Sequence, residues 1–346
     1  MRKEFSLKNL FALLIVGHVL TACGAIVTPV AYLTHKNKIA PPVIGQDPFI
    51  EDIAARFGFM ALLSDLVYHR PLDQTRKPAY APCDAGAPSL PMPLPIVGVD
   101  GETGRWIAAR NKDGVPFCLD DKSGVFYQTF FFVAPKDVVR EAVIVFRGTE
   151  GLSLRDWSAN LSSVTGIEPR QYRRALQELE KVFVALDRDP YKDTAVYAAG
   201  HSLGGGLAQQ AGYRFGRIKS VYAFNSSPVT NWSWMALNKE EITQDWPLIY
   251  RLYHTGEALN PLRSVATALT TSRFNRYDIG IQLEEKSRIK GHAMSVMTCG
   301  FAHIIAEADL TNTAHHYPAS YARDSVYKGP LCEDFKQAQL QPRKTP

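Results

Sequence analysis

One stretch constrains this chain more than any other: Thr194-Ala195-Val196-Tyr197-Ala198-Ala199-Gly200-His201-Ser202-Leu203-Gly204-Gly205-Gly206. An apolar, β-favouring run ends at Gly200. Ser202 stands between Gly200 and Gly204, and Leu207, Ala208 and Ala211 follow at helix-compatible spacing. This is a G-x-S-x-G pattern in the setting it needs, with a strand before and a helix after. A turn of that kind holds the serine in a strained conformation with its oxygen proud of the sheet edge. Side chains at the flanking positions would collide with neighbouring backbone, so only glycine fits. The helix start behind Ser202 aims backbone N–H groups at any oxyanion formed there. The competing reading is a glycine-rich turn with an idle serine, and a second stretch decides against it.

Glu141 to Phe146 is another buried strand, running into Arg147-Gly148-Thr149-Glu150, with Arg155-Asp156-Trp157 and Asn160-Leu161 beyond. In this order and spacing, Phe146-Arg147-Gly148-Thr149, Asp156-Trp157, Leu161 and Gly200 to Gly205 resemble the class 3 (fungal-type) lipases over roughly residues 50–305. The resemblance implies an α/β-hydrolase fold: a mostly parallel sheet, helices on both faces, and a site at the strands' C-terminal ends. It also implies an oxyanion hole made by Thr149 and the Leu203 N–H, and a bracing role for Asp156. His201 is the family's usual residue within the elbow and supports the turn. A mobile lid is expected over residues 152–164. Ile167-Glu168-Pro169-Arg170 departs from the family's usual His-x-Gly-Phe element.

A serine nucleophile needs a base within hydrogen-bond reach and an acid to orient that base. In this architecture the chain order is Ser, acid, His. Val221 to Phe224 is the strand after the elbow helix, ending in Asn225-Ser226-Ser227-Pro228. The next strand, Leu248 to Tyr253, leads to Glu257, where the family places Asp. Glu257 is the expected acid, with Asp278 of the Arg276 to Ile279 strand as the alternative. Among the late histidines, His292 sits at a loop-to-helix junction that suits a base. His303 lies in an apolar helical run and reads as a packed residue, and His315 and His316 lie in a polar stretch.

The N-terminus reads as an address. Arg2, Lys3 and Lys8 precede an apolar run from Leu10 to Leu20, too short for a comfortable membrane span. It closes on Leu20-Thr21-Ala22-Cys23-Gly24, which resembles a bacterial lipobox. That resemblance implies lipidation of Cys23, attachment to a membrane and, with Gly24 next, the outer membrane of the cell envelope. Several acyl chains on one cysteine would anchor firmly, at about 0.8 kcal/mol per buried methylene.

The expected organisation is a signal peptide over 1–22, a proline-bearing tether over 23–48, the hydrolase domain over 49–333 and a tail over 334–346. Helices are expected over Glu51 to Tyr68 and Gln171 to Leu186, and a short terminal one over Glu333 to Leu340. Strands are expected over Arg105 to Ala109 and Val125 to Val133. Residues 71–95 carry many prolines and read as an irregular loop.

Charge bounds the partners. The formal net charge is +5, and removal of residues 1–22 takes two net positive charges with it. No basic block interleaved with aromatics is present, so nucleic acid is not an expected partner. Cys83, Cys118, Cys299 and Cys332 allow two disulfides in an exported chain, the simplest pairing being Cys83–Cys118 and Cys299–Cys332. No zinc-like spacing occurs, so neither metal nor cofactor is expected. The sequence reading is therefore a membrane-anchored hydrolase of carboxylic esters, lipids foremost. Alternatives are a phospholipase A1, a short-chain esterase, an inactive envelope scaffold and a released effector lipase. Oligomeric state is left open.

Overall fold

The computed structural model describes residues 30–36, 49–68, 94–95, 97–98, 102–111, 113–120, 125–148, 170–227, 247–255, 276–283, 292–308 and 317–340. Nine strands form one sheet: β1 (Val30–Lys36), β2 (Arg105–Ala108), β3 (Cys118–Asp120), β4 (Phe126–Ala134), β5 (Val138–Phe146), β6 (Ala195–His201), β7 (Ile218–Phe224), β8 (Leu248–His254) and β9 (Arg276–Gln282). Their order is β1-β9-β8-β7-β6-β5-β4-β2, with β3 also pairing to β4. β5 through β9 run parallel to one another. β1, β2, β3 and β4 join antiparallel. The sheet is mostly parallel, and its elbow strand β6 lies between β5 and β7.

The strands alternate between two buried faces. Val143, Val145, Tyr197, Ala199, Tyr222, Phe224, Tyr250 and Leu252 pack in one core with helices α1 (Ile50–Leu66) and α4 (Met294–Glu307). Ala142, Ile144, Val196, Ala198, Val221 and Ile249 pack in the other with α2 (Arg170–Leu186) and α3 (Leu203–Arg214). Both faces are covered, so these strands read as continuous apolar runs rather than alternating ones. Tyr222, Tyr250 and Tyr277 are register partners on the α1 face, with neighbouring rings stacked 5.5 Å apart. α1 is buried almost all round, from Ile53 to Leu66, because α4 packs along it and Tyr317 lies against Gly58.

Two expectations are corrected. The stretch read as a tether over 23–48 is crossed by β1, which pairs antiparallel with β9 from Val30↔Gln282 to Lys36↔Tyr277. A bare β9 edge would present unpaired backbone groups, and an added strand pairs with them. The tail also starts later than 334. A helical segment over Ala319–Tyr321 and Ala322–Tyr327 leads to α5 (Glu333–Leu340), the short helix expected there, and Phe335 joins the core. The expected Cys299–Cys332 bridge is present and ties α4 to this segment. Cys118 is also disulfide-bonded. Its expected partner Cys83 and the lipidation candidate Cys23 lie outside the described residues.

Candidate active site

β6 ends in the elbow. Ser202 has φ 57° and ψ −125°, a conformation in the sparsely populated positive-φ region. The turn is held by backbone. The Ser202 N–H donates to the Phe224 carbonyl at 3.0 Å, and the Ser202 carbonyl accepts from the N–H groups of Gly205, Gly206 and Ser227 at 3.1, 3.3 and 3.0 Å. Close packing explains the glycines. A Cβ on Gly204 would stand 2.7 Å from the Arg147 carbonyl carbon, and one on Gly148 would stand 2.7 Å from the His201 carbonyl oxygen. Gly200 packs in the same way against Gly204 and Gly205. Leu203 opens α3, and its N–H has no carbonyl within the helix to donate to.

His292 lies just before α4, and its Nε2 is 3.1 Å from Ser202 Oγ. Both residues are buried. Of the two late histidines among the described residues, His292 and His303, this is the one at the serine. His303 stands on α4, stacked on Tyr327 with ring centroids 4.6 Å apart and 3.9 Å from Glu307. His315 and His316 lie outside the described residues.

The elbow's own histidine belongs to a chain of directed hydrogen bonds. His201 Nε2 lies 2.7 Å from the His292 main-chain carbonyl, which can only accept, so this nitrogen carries the proton. Nδ1 is then bare and accepts from the Tyr68 hydroxyl at 2.9 Å. The Tyr68 oxygen in turn accepts the Gly148 N–H at 2.8 Å. Burial, with His292 close by, pushes the His201 imidazole down to about 3, so it stays neutral in the one tautomer this chain requires. Asn225, at the end of β7, is fully buried at φ 39°. Its Nδ2 donates to the same His292 carbonyl at 3.2 Å, and its Oδ1 accepts the His254 N–H at 2.8 Å. His254 is itself buried, with its ring lowered from the ordinary imidazole value chiefly by burial. It accepts the Leu283 N–H at Nε2, 3.2 Å away.

Thr149 and Glu257 lie outside the described residues, as do Asp156 and the expected lid over 152–164. The described chain stops one residue short of Thr149, at Gly148, where an added Cβ would stand 2.9 Å from the Ser202 Cβ. It stops two short of Glu257, at Thr255, whose N–H donates to the Ile281 carbonyl at 2.8 Å. Arg147, which carries the chain into this corner, stacks its guanidinium 4.4 Å over the Phe126 ring. Asp278, the alternative acid, is engaged elsewhere. It pairs across β8 and β9 with Arg251, the Nη2–Oδ2 distance being 2.6 Å, and with Arg276. Strand alternation puts it on the α3 face, opposite α4 and His292. Tyr68 and Asn225 are the two site residues whose roles the sequence did not reveal. An asparagine ending a buried strand was the one signal present, because Asn tolerates positive φ.

A mostly parallel sheet with a strained serine at the strand-to-helix turn, and a histidine against its hydroxyl, defines an α/β-hydrolase. The comparisons with known proteins narrow the class. The family model for the Tle-like phospholipase domain matches residues 59–275, well over half of the chain, and the chain belongs to that family. An extracellular phospholipase A1 from Serratia liquefaciens is 32% identical over 94 residues, covering 27% of this chain and 26% of that protein. The chain thus spans about a quarter of the length of this relative. Among solved structures, a CIB-like hydrolase from Thermoplasma acidophilum covers 52% of this chain and 94% of its own at 12% identity and a TM-score of 0.27. Acetyl xylan esterase 1 from a Thermoanaerobacterium species covers 56% and 87% at 9% identity and a TM-score of 0.25.

Proposed function

We propose that this chain is a membrane-anchored serine hydrolase that cleaves carboxylic esters of lipids, phospholipids foremost. The observation that carries the reading is the 3.1 Å contact between Ser202 Oγ and His292 Nε2 at a strained elbow, in a chain of a phospholipase domain family. Ser202 attacks the ester carbonyl as His292 takes its proton. The Leu203 N–H and Thr149 receive the oxyanion. The tetrahedral intermediate collapses, His292 returns the proton to the leaving alcohol, and an acyl-enzyme remains. Water, deprotonated by His292, releases the fatty acid and restores Ser202. Glu257 holds the His292 tautomer from Nδ1. Its loop leaves β8 next to the strand end that Asn225 holds, which is the expected place for the acid in this fold.

The substrate follows from the family and from the N-terminal lipobox resemblance. Lipidated Cys23 would keep the site at a bilayer of the cell envelope, the outer membrane by the sequence signal, where phospholipid esters are the most abundant esters present. Phospholipase A1 specificity and the class 3 lipase mechanism both fit such a site.

The test is hydrolysis by the full chain of p-nitrophenyl esters of short and long acyl chains and of phosphatidylcholine vesicles, beside Ser202→Ala. Activity lost in the variant and rising with acyl length supports the reading. Activity confined to short esters makes the chain a short-chain esterase. No hydrolysis by folded wild type would make it a scaffold. Thr149→Ala is expected to lower kcat by about 10²–10³ if Thr149 supplies an oxyanion donor.

A further inference from the structure

We propose that Asn225 and the Tyr68–His201 pair are positioning residues that place the base by gripping the main-chain carbonyl of His292; this rests on the hydrolase reading above. His292 stands ahead of α4, whose first residue is Met294, so its carbonyl lies outside the helical ladder. A buried carbonyl needs partners. Among the described residues, two side chains from distant segments donate to it: His201 Nε2–H at 2.7 Å and Asn225 Nδ2–H at 3.2 Å. One carbonyl oxygen has two lone pairs and can accept both.

Each arm continues to a different strand end. The Asn225 arm reaches the His254 N–H, at the end of β8 from which the chain runs on to Glu257. The His201 arm reaches Tyr68 and through it the Gly148 N–H, at the end of β5 from which the chain runs on to Thr149. The carboxamide admits only one orientation, because its two partners are a backbone donor and a backbone acceptor. The imidazole likewise admits one tautomer. Every bond in the chain is therefore directional, and the oxygen of His292 is the point where the acid side and the oxyanion side of the site are set relative to the base. Base and nucleophile tolerate little misplacement, since a shift of about 1 Å can cost about 10²-fold in rate.

The experiment compares Asn225→Gly and Tyr68→Phe with wild type in the full chain. Glycine suits the positive φ of Asn225 and removes only the carboxamide; phenylalanine removes only a hydroxyl. Three quantities are read: kcat and KM on a p-nitrophenyl ester, the rate of Ser202 phosphonylation by a fluorophosphonate, and the thermal midpoint. Each variant is expected to lose about 10–100-fold in kcat and in phosphonylation rate, with KM within about threefold of wild type, while remaining folded at the assay temperature. A merely structural role would lower the midpoint and leave kcat in the folded fraction untouched, which would overturn the proposal. So would rates within twofold of wild type. Should Asn225→Gly fail to fold, Tyr68→Phe carries the same test through the other arm. Wild type inert to both ester and fluorophosphonate would sink the hydrolase reading, and this inference with it. Active wild type with unaffected variants would sink this inference alone.

Discussion

Ser202 and His292 face each other across 3.1 Å, but different kinds of bond hold them. The elbow is built from neighbours in sequence and from backbone. Ser202 is tied to Gly205 and Gly206 by its own turn, to Phe224 of β7 and to Ser227 just beyond it by one main-chain bond each, and wedged by glycines that let strand and helix touch. The base loop is built from strangers. Its carbonyl is held by side chains 91 and 67 residues away, and α4 behind it is stapled to Cys332, 33 residues on. A local device can be rigid on its own. A device made of remote side chains is only as exact as the fold that brings them together.

That contrast can be broken at several points. The largest effect is expected where the two halves meet. Ser202→Ala and His292→Ala should each reduce kcat by about 10⁵–10⁶-fold, and the double variant should be little worse than either, because the pair acts as a unit. Losses that multiplied would mean the two residues do not share a step. The next largest separates the halves by stability. Replacing Cys299 and Cys332 with serine removes a cross-link whose loop-closure contribution is about 3–4 kcal/mol for this separation. The thermal midpoint should fall, and amide exchange should quicken in α4 before it quickens in α3. Equal quickening would show the two halves to be one cooperative block.

Gly148→Ala sharpens the comparison on the elbow side. Its Cβ meets the His201 carbonyl oxygen and the Tyr68 hydroxyl at 2.7 Å, so backbone must shift, at a cost of about 1–3 kcal/mol and with a clear loss of kcat. A stable, fully active variant would show the corner to be looser than drawn. The most gradual effect is a pH slope. Unfolded, His201 takes its proton near 6.5; folded, only near 3. Between those values the unfolded state binds more protons, so the His201 share of stability is constant above pH 6.5 and falls as pH drops towards 3, by up to about 1.4 kcal/mol per pH unit. Denaturant unfolding of wild type and His201→Gln between pH 7 and 4 checks this. The variant should lose that share of the slope, and His254, also lowered, should keep some of it.

Much of the site was legible because its elbow is local. Strand, glycines, serine and helix lie within one short stretch, and steric rules for backbone apply there whatever surrounds them. His292 was legible for a weaker reason, as a histidine at a loop-to-helix junction in the right chain order. β1 was hidden between prolines that looked like a tether's, and only the open edge of β9 gives Val30–Lys36 a reason to be a strand. Asp278 looked available as an acid until the register set it opposite Arg251.

The sequence by itself pointed to the fold class, the serine elbow and the apolar strands and helices, and left three cysteine pairings open with Cys299–Cys332 in the simplest of them. The fold class came through a family resemblance; the elbow, strands and helices follow from periodicity and local backbone sterics, which act within a few residues. The tertiary structure alone decided that Tyr68 and Asn225 belong to the site, that His201 grips the base loop as well as its own turn, and that His292 rather than His303 reaches Ser202. Those facts depend on which strand ends become neighbours and which way each carboxamide and imidazole must turn to satisfy a buried carbonyl. A hydrogen bond between residues 91 apart leaves no trace in the spacing of either.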